Sequence, residues 1–331
     1  MPGYRGAVSR RSRVLLVVAI AVAAAVGVVG GAAVLGPDDE PKATRPEGVP
    51  PVLVDVGVRQ DGDARLLRRA ARLHARGQRA QAERLFAQGD SVDAEAAAAI
   101  AAWPDGSLAR LEDLARGHPS SGAVGFHLGL ARFWSGDTNG ALDAWRVTRA
   151  RDPDSAFAVR AGDLLFRRFP PGNPTFVPSF RGPASVRRLR APAQLAALAR
   201  MARRPDPRAK LLYGVALQRL DRPVSARRQF AAAAALAPRS PDAQVAEAVG
   251  RFEKERPERA FSRLGPLSRR FSRAATVRFH LGLLLLWIGD VEGAKRQLAR
   301  ATRMGPPISR EATRLLDRLE AVGDAEDDRT E

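Results

Sequence analysis

Apolar residues recur along this chain in a fixed register. The run Phe126–Leu130, which reads FHLGL, returns as Phe279–Leu283, and Trp134 returns as Trp287. The glycine, aspartate and alanine positions that follow these runs also return, always 153 residues later. A constant separation indicates an internal duplication, and such periodicity predicts a fold assembled from stacked repeats.

The underlying period is 34 residues, in windows at 122–155, 207–240, 241–274 and 275–308. Each window has a small residue at position 8, alanine at position 20 and a bulky apolar residue at position 24. The windows at 122, 207 and 275 also have proline at position 32. In these three windows, positions 8, 20, 24 and 32 are Gly129, Ala141, Trp145, Pro153, Gly214, Ala226, Phe230, Pro238, Gly282, Ala294, Leu298 and Pro306. Small residues let two helices approach closely, and proline ends the second helix. We therefore predict that Gly214 lies where Ala226 of the partner helix crosses it.

This register resembles the tetratricopeptide repeat family. The resemblance implies an all-α fold, a right-handed α-solenoid of helix–turn–helix units that bury their apolar faces by stacking. Weaker units at 63–88 and 94–116 extend the array. The 51 residues between Ser155 and Pro207 hold one repeat and a proline-rich insertion at about 169–191. We expect this insertion to form a long loop. We expect about seven units over 63–308, then a charged capping helix at 309–321 and an acidic tail to residue 331.

The N-terminus predicts a membrane anchor. Residues 14–35 form a run of 22 residues without a charge, preceded by four arginines in residues 1–13 and followed by three acidic residues at 38–40. A helix of this length spans a hydrocarbon core of roughly 30 Å, and the flanking charges place residues 1–13 in the cytoplasm and the repeats outside it. A cleaved signal peptide is the alternative, although its apolar region is usually about 7 to 15 residues long. Residues 36–62 read as a proline-rich linker, in which Val52–Val54 could be a short strand or an apolar plug.

Composition excludes several kinds of chemistry. The chain has no cysteine, so it has no disulfide, no thiolate zinc site and no cysteine nucleophile. Its histidines lack metal-ligand spacing, and His127 and His280 occupy the same repeat position, so duplication alone explains them. No phosphate-binding glycine loop, GxSxG elbow or HExxH pair is present. We therefore expect a protein that is not an enzyme and that binds no cofactor or metal.

The net charge of +18 favours anionic surfaces. Outside a cell these include phospholipid headgroups and anionic wall polymers. Nucleic acid is a less favoured partner, because the arginines are scattered and no aromatic stacking platform accompanies them.

The resemblance also suggests a partner-binding surface. In tetratricopeptide repeat proteins the first helix of each repeat lines a concave groove. The corresponding candidate residues are Phe126, Leu130, Phe133, Trp134, Leu211, Val215, Phe279, Leu283 and Trp287. The lysine and asparagine that hold a peptide carboxylate in chaperone-binding members are missing from these positions. The alternative is that these apolar residues pack between repeats.

These observations predict a single-pass membrane protein whose repeats form a scaffold for another protein or peptide in the cell envelope. A self-associating scaffold, in which a second copy buries the groove, is the competing hypothesis. The sequence leaves the oligomeric state and the partner open.

Overall fold

The structure is a computed structural model that describes residues 47–327, with side chains as far as residue 321. Sixteen helices and no strand occur in this range, which confirms the all-α prediction for the described residues. They are α1 (Gly62–Ala75), α2 (Arg79–Phe86), α3 (Val92–Ala101), α4 (Ser107–Gly117), α5 (Gly122–Trp134), α6 (Thr138–Arg151), α7 (Ala156–Leu165), α8 (Ala184–Arg187), α9 (Ala191–Ala202), α10 (Pro207–Gln218), α11 (Pro223–Leu236), α12 (Pro241–Val249), α13 (Glu258–Arg270), α14 (Ala275–Trp287), α15 (Val291–Thr302) and α16 (Ile308–Asp327).

The predicted anchor at 14–35 lies outside the described residues, as do residues 1–13 and the start of the linker. Within residues 47–327, every helix is too short or too polar to cross a membrane. The membrane anchor therefore stays a prediction from the sequence.

Duplicated aspartates start the second helices of two repeats. Gly136 adopts a positive φ of 91°, which favours glycine, and so reverses the chain after α5. Asp137 then accepts a hydrogen bond of 2.9 Å from the Gly140 amide and caps α6. Gly289, Asp290 and Gly293 do the same before α15, with a φ of 83° and a hydrogen bond of 2.8 Å. The duplicated residues therefore encode the turn inside each helical pair.

The helices form two compact units. The N-terminal unit contains α1–α7 together with residues 220–222. Its largest buried side chain, Trp145 on α6, donates its indole N–H to the Phe126 carbonyl at 3.2 Å. A methyl group at Gly129 on α5 would lie 2.2 Å from Nε1 of Trp145. Glycine is therefore required where the indole presses against the first helix.

The C-terminal unit contains α8–α16. A methyl group at Gly214 on α10 would lie 2.3 Å from Cε1 of Phe230 on α11, and one at Gly282 would lie 2.9 Å from Cγ of Leu298. The atoms nearest to Gly214 thus belong to position 24 of the repeat. Ala226, which we expected at this crossing, is buried on the same helix as Phe230.

Each of the four 34-residue windows contains one helical pair: α5–α6, α10–α11, α12–α13 and α14–α15. Successive first helices also contact each other, α3 with α5 and α5 with α7 in one unit, and α10 with α12 and α12 with α14 in the other. Such contacts make each pair part of a continuous core.

The last helix closes the C-terminal unit. Ile308, Ala312, Leu315 and Leu319 are buried and recur every three or four residues, so that they form one face of α16. This face packs against α14 and α15. The helix continues to Asp327, six residues beyond the predicted end at 321.

Candidate partner-binding surface

The structure buries most of the candidate groove residues. Phe126, Leu130, Phe133, Leu211, Phe279, Leu283 and Trp287 are at most 7% exposed, while Trp134 and Val215 are partly buried. They therefore do not line an open apolar groove in this structure. Their part in binding a partner stays a prediction.

In the N-terminal unit, part of the covering comes from a non-helical stretch that precedes α1. We call residues 49–56 the linker segment. Its Val49, Val52 and Leu53 pack against the apolar cluster that contains Phe126 and Leu130. The Leu53 amide donates a hydrogen bond of 3.1 Å to Nε2 of His127 on α5. Val52–Val54 therefore behaves as an apolar plug rather than a strand.

His127 is fully buried and uses both ring nitrogens. Its Nδ1 lies 2.8 Å from the Ala123 carbonyl, which can only accept, so Nδ1 carries the proton and Nε2 is free to accept from Leu53. Desolvation by burial lowers the pKa of His127 to about 4, against a smaller opposing effect of the Ala123 hydrogen bond. The imidazole is therefore neutral near pH 7, as its acceptor role requires.

In the C-terminal unit, the predicted insertion covers the equivalent residues. We call residues 169–180 the insertion segment. Its Val177 amide donates a hydrogen bond of 2.9 Å to Nε2 of His280 on α14. The ring of Phe176, which is 1% exposed, stacks on the His280 imidazole at 5.1 Å between centroids. Each of the two duplicated histidines thus accepts a hydrogen bond from a backbone amide of a distant segment.

The environment of His280 repeats that of His127. Its Nδ1 lies 2.6 Å from the Thr276 carbonyl, one helical turn earlier, which again places the proton on Nδ1. Desolvation by burial lowers the pKa of His280 to about 4, and the Thr276 hydrogen bond opposes this only in part. A neutral imidazole is therefore available to hold the backbone of the insertion segment.

Three further side chains hold the insertion segment. Lys254 donates from Nζ to the Pro170 carbonyl at 2.8 Å, and it is only 4% exposed. Gln218 accepts from the Phe176 amide at 3.0 Å. Asp242, near the start of α12, accepts from the Ser179 amide at 3.3 Å and from its hydroxyl. The insertion is therefore a long, largely non-helical connection, as its prolines predict, and residues 169–180 of it pack against the core.

The sequence did not reveal this role of the histidines. Duplication explains why His127 and His280 recur but not what they bind, because the segments that they bind lie 74 and 103 residues away. A weak signal was present, because a pair of apolar residues follows a proline closely in both segments, at Val52–Leu53 and Phe176–Val177.

The described part of the chain offers little evidence of a catalytic or metal site. No group of histidine, aspartate and glutamate side chains in this part is arranged to hold a metal ion. Both ring nitrogens of His127 and of His280 bond to backbone atoms, so neither imidazole is available as a general base. What the arrangement can do is hold polypeptide.

No protein-family model matches the chain, and no curated protein is similar to it in sequence. Solved structures of similar shape include a tetratricopeptide repeat protein from Parabacteroides merdae, with 13% identity, a TM-score of 0.34, and coverage of 77% of this chain and 98% of that one. The C-terminal part of a repeat-containing protein from Cytophaga hutchinsonii has 13% identity, a TM-score of 0.28 and coverage of 76% and 99%. Yeast Tom70 has 12% identity, a TM-score of 0.32 and coverage of 84% and 67%. At these scores the likenesses transfer neither activity nor partner to this chain.

Proposed function

We propose that this chain is a helical-repeat scaffold, anchored to a membrane by residues 14–35, that binds another protein in the cell envelope. One observation carries the binding role: each unit already holds a non-helical polypeptide segment against the first helices of its repeats. A buried neutral imidazole accepts from a backbone amide, and apolar side chains surround it. Backbone hydrogen bonds of this kind recognise polypeptide rather than small molecules.

The anchor is supported by the sequence alone. An uncharged run of 22 residues, with arginines before it and acidic residues after it, suits a single-pass helix with the repeats outside the cytoplasm. Such a tether would keep the scaffold and its partner at one membrane surface, where its positive charge also favours anionic lipid or wall polymer.

Crosslinking in intact membranes tests the binding role. A photoreactive residue in place of exposed Val147 or Leu236 would capture a neighbouring protein without disturbing the core. We expect one recurrent crosslinked protein that is absent when the label is on the acidic tail. Crosslinks only between copies of this chain would support the self-associating scaffold instead, and no crosslink at any exposed position would contradict the proposal.

Protease accessibility tests the orientation. Protease added to intact spheroplasts should degrade the repeats, because they would lie outside the cytoplasmic membrane. Protection until lysis would show that the proposed orientation is wrong. Release of the repeats into the medium would instead support the cleaved signal peptide.

A further inference from the structure

A cleft opens in the C-terminal unit where one helical pair departs from the repeat. Helix α12 has 9 residues, whereas the first helices α10 and α14 have 12 and 13. Residues 250–257 replace its last turn without forming a helix. The resulting cleft has a volume of about 640 Å³ and lies among α11, the end of α12 and the start of α13.

Arginines dominate the walls of this cleft. They are Arg227, Arg228, Arg251, Arg259 and Arg263. The acidic side chains in the lining are two glutamates, Glu247 and Glu253. The lining therefore has a surplus of three positive charges within one concave surface.

The two glutamates show which ligand the arginines accept. Glu253 receives hydrogen bonds from Arg227 at 3.3 Å and from Arg259 at 2.8 Å, and Glu247 pairs with Arg251. Glu253 is thus a carboxylate held between two guanidinium groups and Glu247 is held by one, in charge-assisted hydrogen bonds. Arg228 and Arg263, both exposed, have no acidic partner among the described residues. They are free to bind further carboxylates.

We propose that this arginine cleft is a docking site for an acidic polypeptide segment of a partner protein. The site is distinct from the surface covered by the insertion segment, because the side chains that hold that segment, His280, Gln218, Asp242 and Lys254, do not line the cleft. The proposal therefore goes beyond the general scaffold role and does not depend on the membrane anchor.

Other anionic ligands fit the cleft less well. Its lining contains no aromatic side chain, so it offers no platform on which nucleic-acid bases stack. Ala231 is its one apolar residue, which leaves nothing to bury a lipid chain. A peptide with spaced carboxylates needs neither feature.

Fluorescence anisotropy tests the proposal directly. The full chain in a zwitterionic detergent would be titrated into a fluorescein-labelled oligoglutamate peptide, with an oligoglutamine peptide of equal length as the neutral probe. We expect binding of oligoglutamate that weakens as salt rises, because exposed charge pairs are screened. Replacing both free arginines, as Arg228→Glu with Arg263→Glu, should weaken it by at least about tenfold.

A matched variant controls for net charge. Arg239 and Arg303 are exposed residues of the same unit outside the cleft, so Arg239→Glu with Arg303→Glu changes the charge equally. This variant should bind oligoglutamate within about twofold of the parent chain. If the cleft variant melts at a lower temperature, Arg228→Gln with Arg263→Gln removes the charges without adding carboxylates and provides the same comparison.

Three results would overturn the proposal. Equal binding losses in the cleft variant and the control would show that net charge alone attracts the peptide. Equal binding of the two peptides would show that carboxylates are not recognised. Binding of anionic vesicles or single-stranded DNA that depends on Arg228 and Arg263, without such dependence for the peptide, would assign the cleft to another ligand.

Discussion

The Val177 amide donates a hydrogen bond of 2.9 Å to Nε2 of His280, although the two residues are 103 positions apart in the chain. The Leu53 amide makes the equivalent bond of 3.1 Å to His127. Because both histidines are fully buried, losing either bond would leave a buried ring nitrogen without a partner. These two bonds therefore fix the linker segment and the insertion segment against the repeats.

The role of His280 as an acceptor can be tested by substitution. His280→Leu removes the acceptor for the Val177 amide, and we expect it to lower the free energy of unfolding by roughly 1–3 kcal/mol. His280→Gln is the matched control, because its amide oxygen can replace Nε2 as the acceptor. Denaturant unfolding would compare the two variants. Equal stability of His280→Leu and the parent chain would show that the bond contributes nothing.

The same histidines predict a dependence on pH. Burial lowers their pKa values in the folded chain to about 4, below the usual histidine value of 6.5. The unfolded state therefore binds protons first as pH falls, so the stability from each neutral imidazole is present above pH 6.5 and is lost towards pH 4. The loss should reach roughly 2–4 kcal/mol per histidine.

Thermal melts over this pH range measure the effect. The double variant His127→Gln with His280→Gln should melt with a weaker dependence on pH than the parent chain, because it lacks both titrating groups. His118→Gln, at an exposed histidine, serves as the control for removal of a histidine outside the core. A parent chain whose melting temperature is constant from pH 7 to pH 4 would contradict the buried neutral imidazoles.

Helix contact at Gly214 gives a prediction about packing. Gly214→Leu would place a side chain where even a methyl group lies 2.3 Å from the ring of Phe230. We expect overpacking to cost roughly 1–3 kcal/mol. Gly265, on α13, has open space where a side chain would lie, so Gly265→Leu should cost much less. Circular dichroism melts compare the two, and similar melting temperatures would argue against the contact.

The two duplicated tryptophans should respond differently to truncation. Trp287 is fully buried and contacts Phe252 at 5.6 Å between ring centroids, so Trp287→Ala should cost roughly 3–5 kcal/mol. Trp134 is only partly buried, and Trp134→Ala should cost less. Thermal melts of the two variants compare their stabilities. A larger loss of stability for Trp134→Ala than for Trp287→Ala would contradict the packing described above.

The sequence predicted those parts of the fold that depend on neighbouring residues. The 34-residue register located the helical pairs, because Gly129 and Trp145 lie on adjacent helices and their sizes are complementary. Asp137 and Asp290, which mark the duplication in the sequence, cap helices that begin at the next residue.

Contacts between distant residues could not be predicted in this way. Nothing in the spacing of His127 or His280 specifies which backbone amide each would bind. The burial of Trp287 depends on Phe252 and on Lys254, which lies 5.8 Å from its ring, and both belong to the segment that replaces the last turn of α12. The candidate groove therefore looked open in the sequence and is covered in the structure.

Amide hydrogen exchange of the full chain tests the central claim most directly, namely that the linker and insertion segments are fixed parts of the repeats. We predict that the amides of Leu53 and Val177 exchange as slowly as those of α5 and α14, and that His280→Leu accelerates exchange at Val177 while Leu53 stays protected. Exchange of both amides at the rate of an unstructured peptide would contradict the account.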